Sequence, residues 1–338
     1  MGVGNFVKPD LQVEDYWRGI VLFGRNVASY KFALAAALLD LKPESGDLVR
    51  LEELAKPFSQ HLRSHLARAD KQGTSASSKF LDVCRKANAD EVSENTLIES
   101  TARLGFVNVI DAFHRVAKSD VPRRFFLDER KENNGIKITD SFSELLEGNQ
   151  VSNLGFENDA RWRLVETAWE QNLPRSLVTV HYDLNEESLF VLDRTKKRKA
   201  VTGARKALSG YQKGHCFYCF SVLSLSSDIP PEVDHFFPHM LKQTELRVPL
   251  DGVWNLVLAC RDCNRHKLAR IPVLRLLERL NTRNEFLITS HHPLRETLMK
   301  QTGKSQNERH DFLQSVYRYA FTTLLHEWEP QEEGPSLF

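Results

Sequence analysis

The chain lacks a run of residues apolar and long enough to span a membrane. Its longest apolar stretch lies near Phe32–Leu39, less than half of the ~20 residues a spanning helix needs. Net charge is also missing: 46 Lys and Arg face 45 Asp and Glu, leaving +1. No whole-molecule field therefore attracts nucleic acid, and any basic surface must be local. There is no internal repeat and no long low-complexity segment. The first residues, through Lys8, have no basic start followed by an apolar run, so no secretory signal is expected. Phe6 stands where a myristoylation signal wants Ser or Thr. These absences point to a soluble, cytoplasmic protein with no membrane partner. Cysteine is scarce, with five in the chain. In a reducing compartment, closely spaced cysteines bind metal more often than they form disulfides.

What is present is ordinary globular composition, 41% hydrophobic and 27% charged over 338 residues. That length suits about two domains at ~150 residues each. The expected class is α+β, with a mostly helical N-terminal domain over residues 1–150 serving recognition or regulation. Tyr16 to about Ala117 reads as helical. Within it, Leu51, Leu54, Ala55, Phe58, Leu62 and Leu66 repeat near a 3.6-residue period. Pro57 interrupts that period and predicts a kink or a break. Cys84 reads as a small buried hydrophobe in a helix. Leu97–Val116 predicts a further helix with a turn near Gly105. Two β-type runs, from Arg124 and from Ile136, flank Lys131 to Gly135, where Asn134-Gly135 signals a hairpin. Helices followed by a hairpin resemble a winged helix-turn-helix.

Residues 151–212 read as a connector. Gly148–Asp159 is polar, Ala160–Asn172 predicts a short helix, and strands are expected at Leu177–Tyr182 and Ser188–Leu192. A basic stretch then runs through Arg194, Lys196, Lys197, Arg198, Lys199, Arg205, Lys206 and Lys213 with no acid after Arg194. Residues 271–338 read as a helical extension, with helices at Ile271–Leu280, Leu294–Lys300 and Asp311–Trp328. His291 and His292, before a proline, read as loop or cap residues.

Four of the five cysteines form two pairs of identical spacing, Cys216 with Cys219 and Cys260 with Cys263. A CxxC turn offers two thiolates from one tight loop, and two such loops complete a tetrahedral zinc shell. A closed shell has no vacancy for water, so the expected ion is a structural Zn²⁺. The insert between the pairs exceeds what a minimal zinc ribbon needs and must serve another purpose. It holds Asp234, His235, Pro238 and His239, and Asn255 enters the second pair. Asn264, Arg265, His266 and Lys267 leave it.

This order of residues, CxxC, Asp-His, Pro, Asn-Leu-Val, CxxC-Asn, resembles the HNH endonucleases. The resemblance covers Lys213 to Arg270 and implies a nuclease core at residues 213–270 with the ββα-metal fold. It also implies metal-dependent hydrolysis of DNA phosphodiesters, with RNA not excluded. His235 is the expected general base, since a neutral imidazole takes a proton from water near pH 7. Asp234 matches the family's ligand for a catalytic Mg²⁺ or Mn²⁺. On a regular strand it would face away from His235, because side chains alternate, so the site needs a local twist or a ligand reaching from the strand's end. Asn255 matches the asparagine that pins the segment bearing the base. Asn264 stands where many members carry histidine, and its carboxamide oxygen suits a hard cation. His266 is the second choice for that ligand.

Phosphate contact is expected from Lys196, Lys197, Arg198, Lys199, Arg205, Arg265, Lys267 and His239. Family habit adds restriction or anti-phage defence as the cellular setting. The N-terminal domain is expected to bring target choice, a partner protein or a homodimer contact. Two other readings stay open. One is a catalytically silent, zinc-stabilised nucleic-acid-binding module. The other is an effector nuclease held inactive by its N-terminal domain.

Overall fold

The computed structural model describes residues 12–24, 28–75, 77–116, 119–170, 179–192, 198–289 and 294–331. The chain divides into two compact units, Met1–Asn172 and Leu173–Phe338. Helix and strand mix in an α+β arrangement. Among the described residues no helix is long and apolar enough to cross a membrane.

The first unit runs α1 (Val13–Phe23), α2 (Tyr30–Leu41), β1 (Leu48–Arg50), α3 (Leu51–Leu66), α4 (Lys79–Asn88), α5 (Glu94–Leu104) and α6 (Val109–Ala112). It continues with β2 (Arg115–Val116), β3 (Ser119–Asp120), β4 (Phe126–Glu129), α7 (Arg130–Asn133), β5 (Gly135–Ile138), α8 (Asp140–Glu147) and α9 (Val151–Glu170). Helix α2 is nearly apolar all round, and it is buried from Lys31 to Ala35 and again at Ala37 and Leu38, as such a helix must be. Trp17 packs edge-on against Phe113 and Phe125. Phe58 meets Phe80 and Phe106, and Cys84 is buried in α4.

Pro57 neither ends nor splits α3. A mid-helix proline costs ~3 kcal/mol. Burial of Leu51, Leu54, Ala55, Phe58, Leu62 and Leu66 along one face outweighs that, at ~1.5–3 kcal/mol for each fully buried large side chain. The predicted hairpin forms, with β4 pairing antiparallel to β5. Asn134 adopts the left-handed conformation at φ 49°. β1 adds a third strand in the order β1-β5-β4. A Cβ on Gly135 would lie 2.5 Å from the Val49 carbonyl oxygen, so only glycine lets β1 approach this closely.

Helix α9 differs from the expectation of a polar connector followed by a short helix. It is continuous from Val151, and the division between units follows it. Its polar residues are buried with partners. Glu157 takes Arg18 at 2.8 Å, Asn158 donates to the Phe32 carbonyl at 3.0 Å, and Glu166 meets His65 at 2.8 Å.

The second unit begins with an antiparallel sheet of β6 (His181–Asp183), β7 (Ser188–Leu192) and β8 (Arg198–Gly203). Then come α10 (Ala204–Tyr211), β9 (Glu232–His235), β10 (Leu256–Ala259), α11 (Arg261–Lys267), β11 (Ile271–Pro272) and α12 (Leu274–Thr289). α13 (Arg295–Thr302), α14 (Gln306–Leu324) and β12 (Glu327–Trp328) complete it. Ile271 and Pro272 form a strand parallel to β12, so the helix expected from Ile271 starts later and runs to Thr289. His291 and His292 lie outside the described residues. β9 and β10 pair antiparallel, with His235 opposite Leu256 and Glu232 opposite Ala259.

Candidate metal clamp and histidine site

The two CxxC loops converge. Sγ atoms of Cys216, Cys219, Cys260 and Cys263 all lie within 4.8 Å of one another, so the cluster could hold a metal ion such as zinc. Four sulfurs at ~2.3 Å from a tetrahedral centre lie ~3.8 Å apart, and Cys219 and Cys260 are 3.8 Å apart. The donor set and spacing fit that ion. Local chemistry explains the convergence. Phe220 takes φ 66°, turning the chain back after Cys219. Cys260 caps α11, its sulfur accepting from the Cys263 N–H at 3.4 Å. The Cys260 N–H donates in turn to Cys216 Sγ at 3.3 Å. Hydrogen bonding from Cys216 lowers the pKa of Cys260, while burial raises that of Cys216.

Two side chains tie the first loop to the rest. The Gln212 amide acts as a strand partner for Leu258, accepting from its N–H at 2.8 Å and donating to its carbonyl at 2.7 Å. Arg279 on α12 donates to the carbonyls of Phe217 and Tyr218, both at 2.8 Å.

Strand alternation sends Asp234 and His235 to opposite sides of β9, and their side chains engage different partners. On the Asp234 side, Tyr218 Oη donates to the carboxylate at 2.5 Å, and Lys267 Nζ lies 3.0 Å from it. Lys267 also donates to the His235 carbonyl at 2.8 Å. Only 1% of Lys267 is exposed, so its ammonium is committed to Asp234 and the main chain rather than presented to phosphate. Burial holds its pKa below the usual lysine value, against the pull of Asp234. Asn264 Nδ2 donates to Glu232 at 2.6 Å, which leaves its carbonyl oxygen able to accept. His266 and Arg265 are exposed on α11.

On the other side, His235 Nε2 lies 3.0 Å from Asp251 Oδ1. The second oxygen of Asp251 takes Lys242. Lys242 also reaches His239 Nε2 at 2.8 Å, and His239 itself is exposed. The Tyr182 ring stands edge-on to His235 at 6.0 Å. Burial lowers the His235 pKa, against the raising influence of Asp251. Burial pushes Asp251 upward, but the hydrogen bond and charge of Lys242, with help from His235, leave it below the usual carboxylate range.

Asn255 joins the two segments that carry this pair. It is fully buried. Its side chain accepts from the Phe237 N–H at 2.8 Å and donates to the Phe237 and Leu250 carbonyls at 3.0 and 2.9 Å. One amide thus fixes the chain just after His235 and just before Asp251. From α12, Arg283 and Asn284 donate to the carbonyl of Trp254, and Arg283 also donates to that of Leu256.

The basic stretch is partly neutralised. Arg198 pairs with Asp183 and lies over the Phe190 ring at 4.1 Å. Arg205 pairs with Glu187. Lys199 is exposed. Lys196 and Lys197 lie outside the described residues. Sequence reasoning passed over Asp251, Tyr218, Gln212 and Arg283. The one available signal was that Asp251 stands four residues before Asn255.

No protein-family model, no curated protein and no solved structure matches this chain.

Proposed function

We propose that this protein is a metal-dependent endonuclease of the HNH type, hydrolysing phosphodiester bonds in DNA. One observation carries the reading. A buried histidine, held by a carboxylate, ends the first strand of the β9–β10 pair, and the helix after that pair starts on a four-thiolate clamp. Antiparallel strands followed by a helix are what a ββα-metal domain requires.

Zinc is the ion we assign to the clamp, where a full shell of soft thiolates gives it a structural role. In the reaction, the oxygen of water bonds to phosphorus, the bond to the 3′ oxygen breaks, and His235 accepts the proton of the water. A Mg²⁺ or Mn²⁺ ion, when bound, would neutralise charge on the phosphate and the departing oxygen. Asp234 and Asn264, with Glu232 beside them, are the hard-oxygen donors for it. Asn255 keeps the base in place. Exposed Arg265, Lys199 and His239 serve the phosphate backbone.

A second reading draws on the buried Lys267–Asp234 pair. A carboxylate already neutralised by an ammonium has less need of a divalent ion, which favours a zinc-stabilised binding module without turnover. One panel separates the two: duplex, branched and single-stranded DNA, and RNA, with Mg²⁺ or Mn²⁺, for wild type beside His235→Ala. The nuclease reading expects cutting by wild type alone, with equal zinc content in both proteins. Salt-sensitive binding without cutting on every substrate supports the module, and cutting by the variant rules out His235 as the base.

A further inference from the structure

We propose that Asp251 is the positioning residue of this site, fixing His235 in the tautomer with the proton on Nε2 and directing Nδ1 at the reacting water. The proposal rests on the nuclease reading for its consequence, but its geometry stands apart from it. Asp251 Oδ1 lies 3.0 Å from His235 Nε2. A carboxylate is an acceptor only, so the nitrogen facing it must carry the hydrogen. The lone pair is then on Nδ1, the only ring atom left to take a proton from water.

The carboxylate is itself held. Lys242 occupies its other oxygen. Main-chain bonds from Gly252 N–H to Pro249 at 2.8 Å and from Asn255 N–H to Gly252 at 2.9 Å define the turn that carries it. Asn255 secures the Leu250 carbonyl immediately before it. The histidine is fixed in register opposite Leu256. Both members of the pair are therefore set by the backbone, and the tautomer follows from the chemistry of the acid. His239, 3.9 Å from Asp251 Oδ1, is kept from the same role by Lys242, which takes its Nε2.

Lys242 makes the proposal sharply testable. In Asp251→Asn the single carbonyl oxygen is claimed by the Lys242 ammonium. The amide then turns its NH₂ toward His235, and Nε2 must become the acceptor. The proton moves to Nδ1, away from its working position. The full-length protein, labelled with ¹⁵N at histidine, is compared by side-chain nitrogen–carbon-bound-proton correlation spectra at a pH where the ring is neutral. Wild type is expected to show a protonated Nε2 at His235, and Asp251→Asn a protonated Nδ1. Asp251→Glu should keep the wild-type tautomer. Asp251→Asn with Lys242→Met frees the amide to turn back and should restore it.

Cleavage by Asp251→Asn is expected to fall about 100-fold or more in kcat with little change in KM, with partial recovery in Asp251→Glu. A protonated Nδ1 in wild type, or an unchanged tautomer in Asp251→Asn, overturns the proposal. So does an unaltered kcat in a variant whose tautomer has switched. A wild type that cuts nothing sinks the nuclease reading instead, and the spectra still decide the role of Asp251.

Discussion

Lys267 Nζ lies 3.0 Å from the Asp234 carboxylate, with the hydroxyl of Tyr218 on that same carboxylate at 2.5 Å. The three side chains form a buried polar cluster between β9, the first CxxC loop and α11. Two buried opposite charges roughly cancel their own desolvation, but removing one leaves the other uncompensated.

Asp234→Asn should therefore destabilise the second unit by ~3–5 kcal/mol, by stranding the Lys267 ammonium. Lys267→Met should cost about as much, by stranding the carboxylate. The double variant should recover most of the loss. Denaturant titration of the four proteins checks this, and losses that simply add would show that the two charges do not compensate each other. The cycle matters for function as well: an Asp234 variant that fails to cut has been tested for folding before it has been tested for metal binding.

The clamp was readable in sequence because metal ligation is local. Two CxxC turns fix two ligands each, and only the closure between them is left to the fold. The β4–β5 hairpin was readable in part: Asn134 supplies the left-handed residue that starts β5, but the strands are joined through the helical turn α7 and not through a two-residue Asn-Gly turn. Helix α9 was not, because periodicity assumes that polar residues face water. Glu157, Asn158 and Glu166 face inward, and the partners that make their burial tolerable lie far off in sequence, at Arg18, Phe32 and His65. The same reason hides Asp251. Apart from its place four residues before Asn255, nothing near it in sequence announces that its turn will be carried beside the end of β9. Alternation sends Asp234 and His235 apart, and the local twist expected to bring them together is not what their separate partners show. What alternation could not supply was that a lysine from α11 would meet one of them and an acid from a distant turn the other.

Because the clamp anchors α11 and the loop between α10 and β9, its metal should be inseparable from the fold of the second unit. The purified protein is expected to hold one zinc per chain. Cys263→Ser, or a strong chelator, should remove it and open the second unit while the aromatic core around Trp17 and Phe58 stays closed. Amide hydrogen exchange distinguishes the two units within one sample. Protection lost from β9, β10 and α11 alone is the expected pattern. Protein that contains no zinc yet protects those elements fully would mean that the four thiols pack without a metal.

His114 gives the first unit an acid-sensitive point. Its Nε2 accepts from the Phe125 N–H at 3.0 Å, which requires the nitrogen to be unprotonated. Burial first, then the charge of Arg124, lowers its pKa to about 3. An unfolded histidine titrates near ~6.5. Between those values the unfolded chain binds a proton that the folded chain refuses, so stability rises with pH through this window. The contribution is fully present above ~6.5 and is lost progressively as pH falls toward 3. His114→Gln keeps an acceptor and removes the titration. Denaturant unfolding of the first unit, followed from pH 7 down to pH 4, should show a shallower decline in the variant than in wild type. Parallel declines would mean that protonation at His114 does not limit acid stability, and that the Phe125 N–H tolerates the loss of its partner.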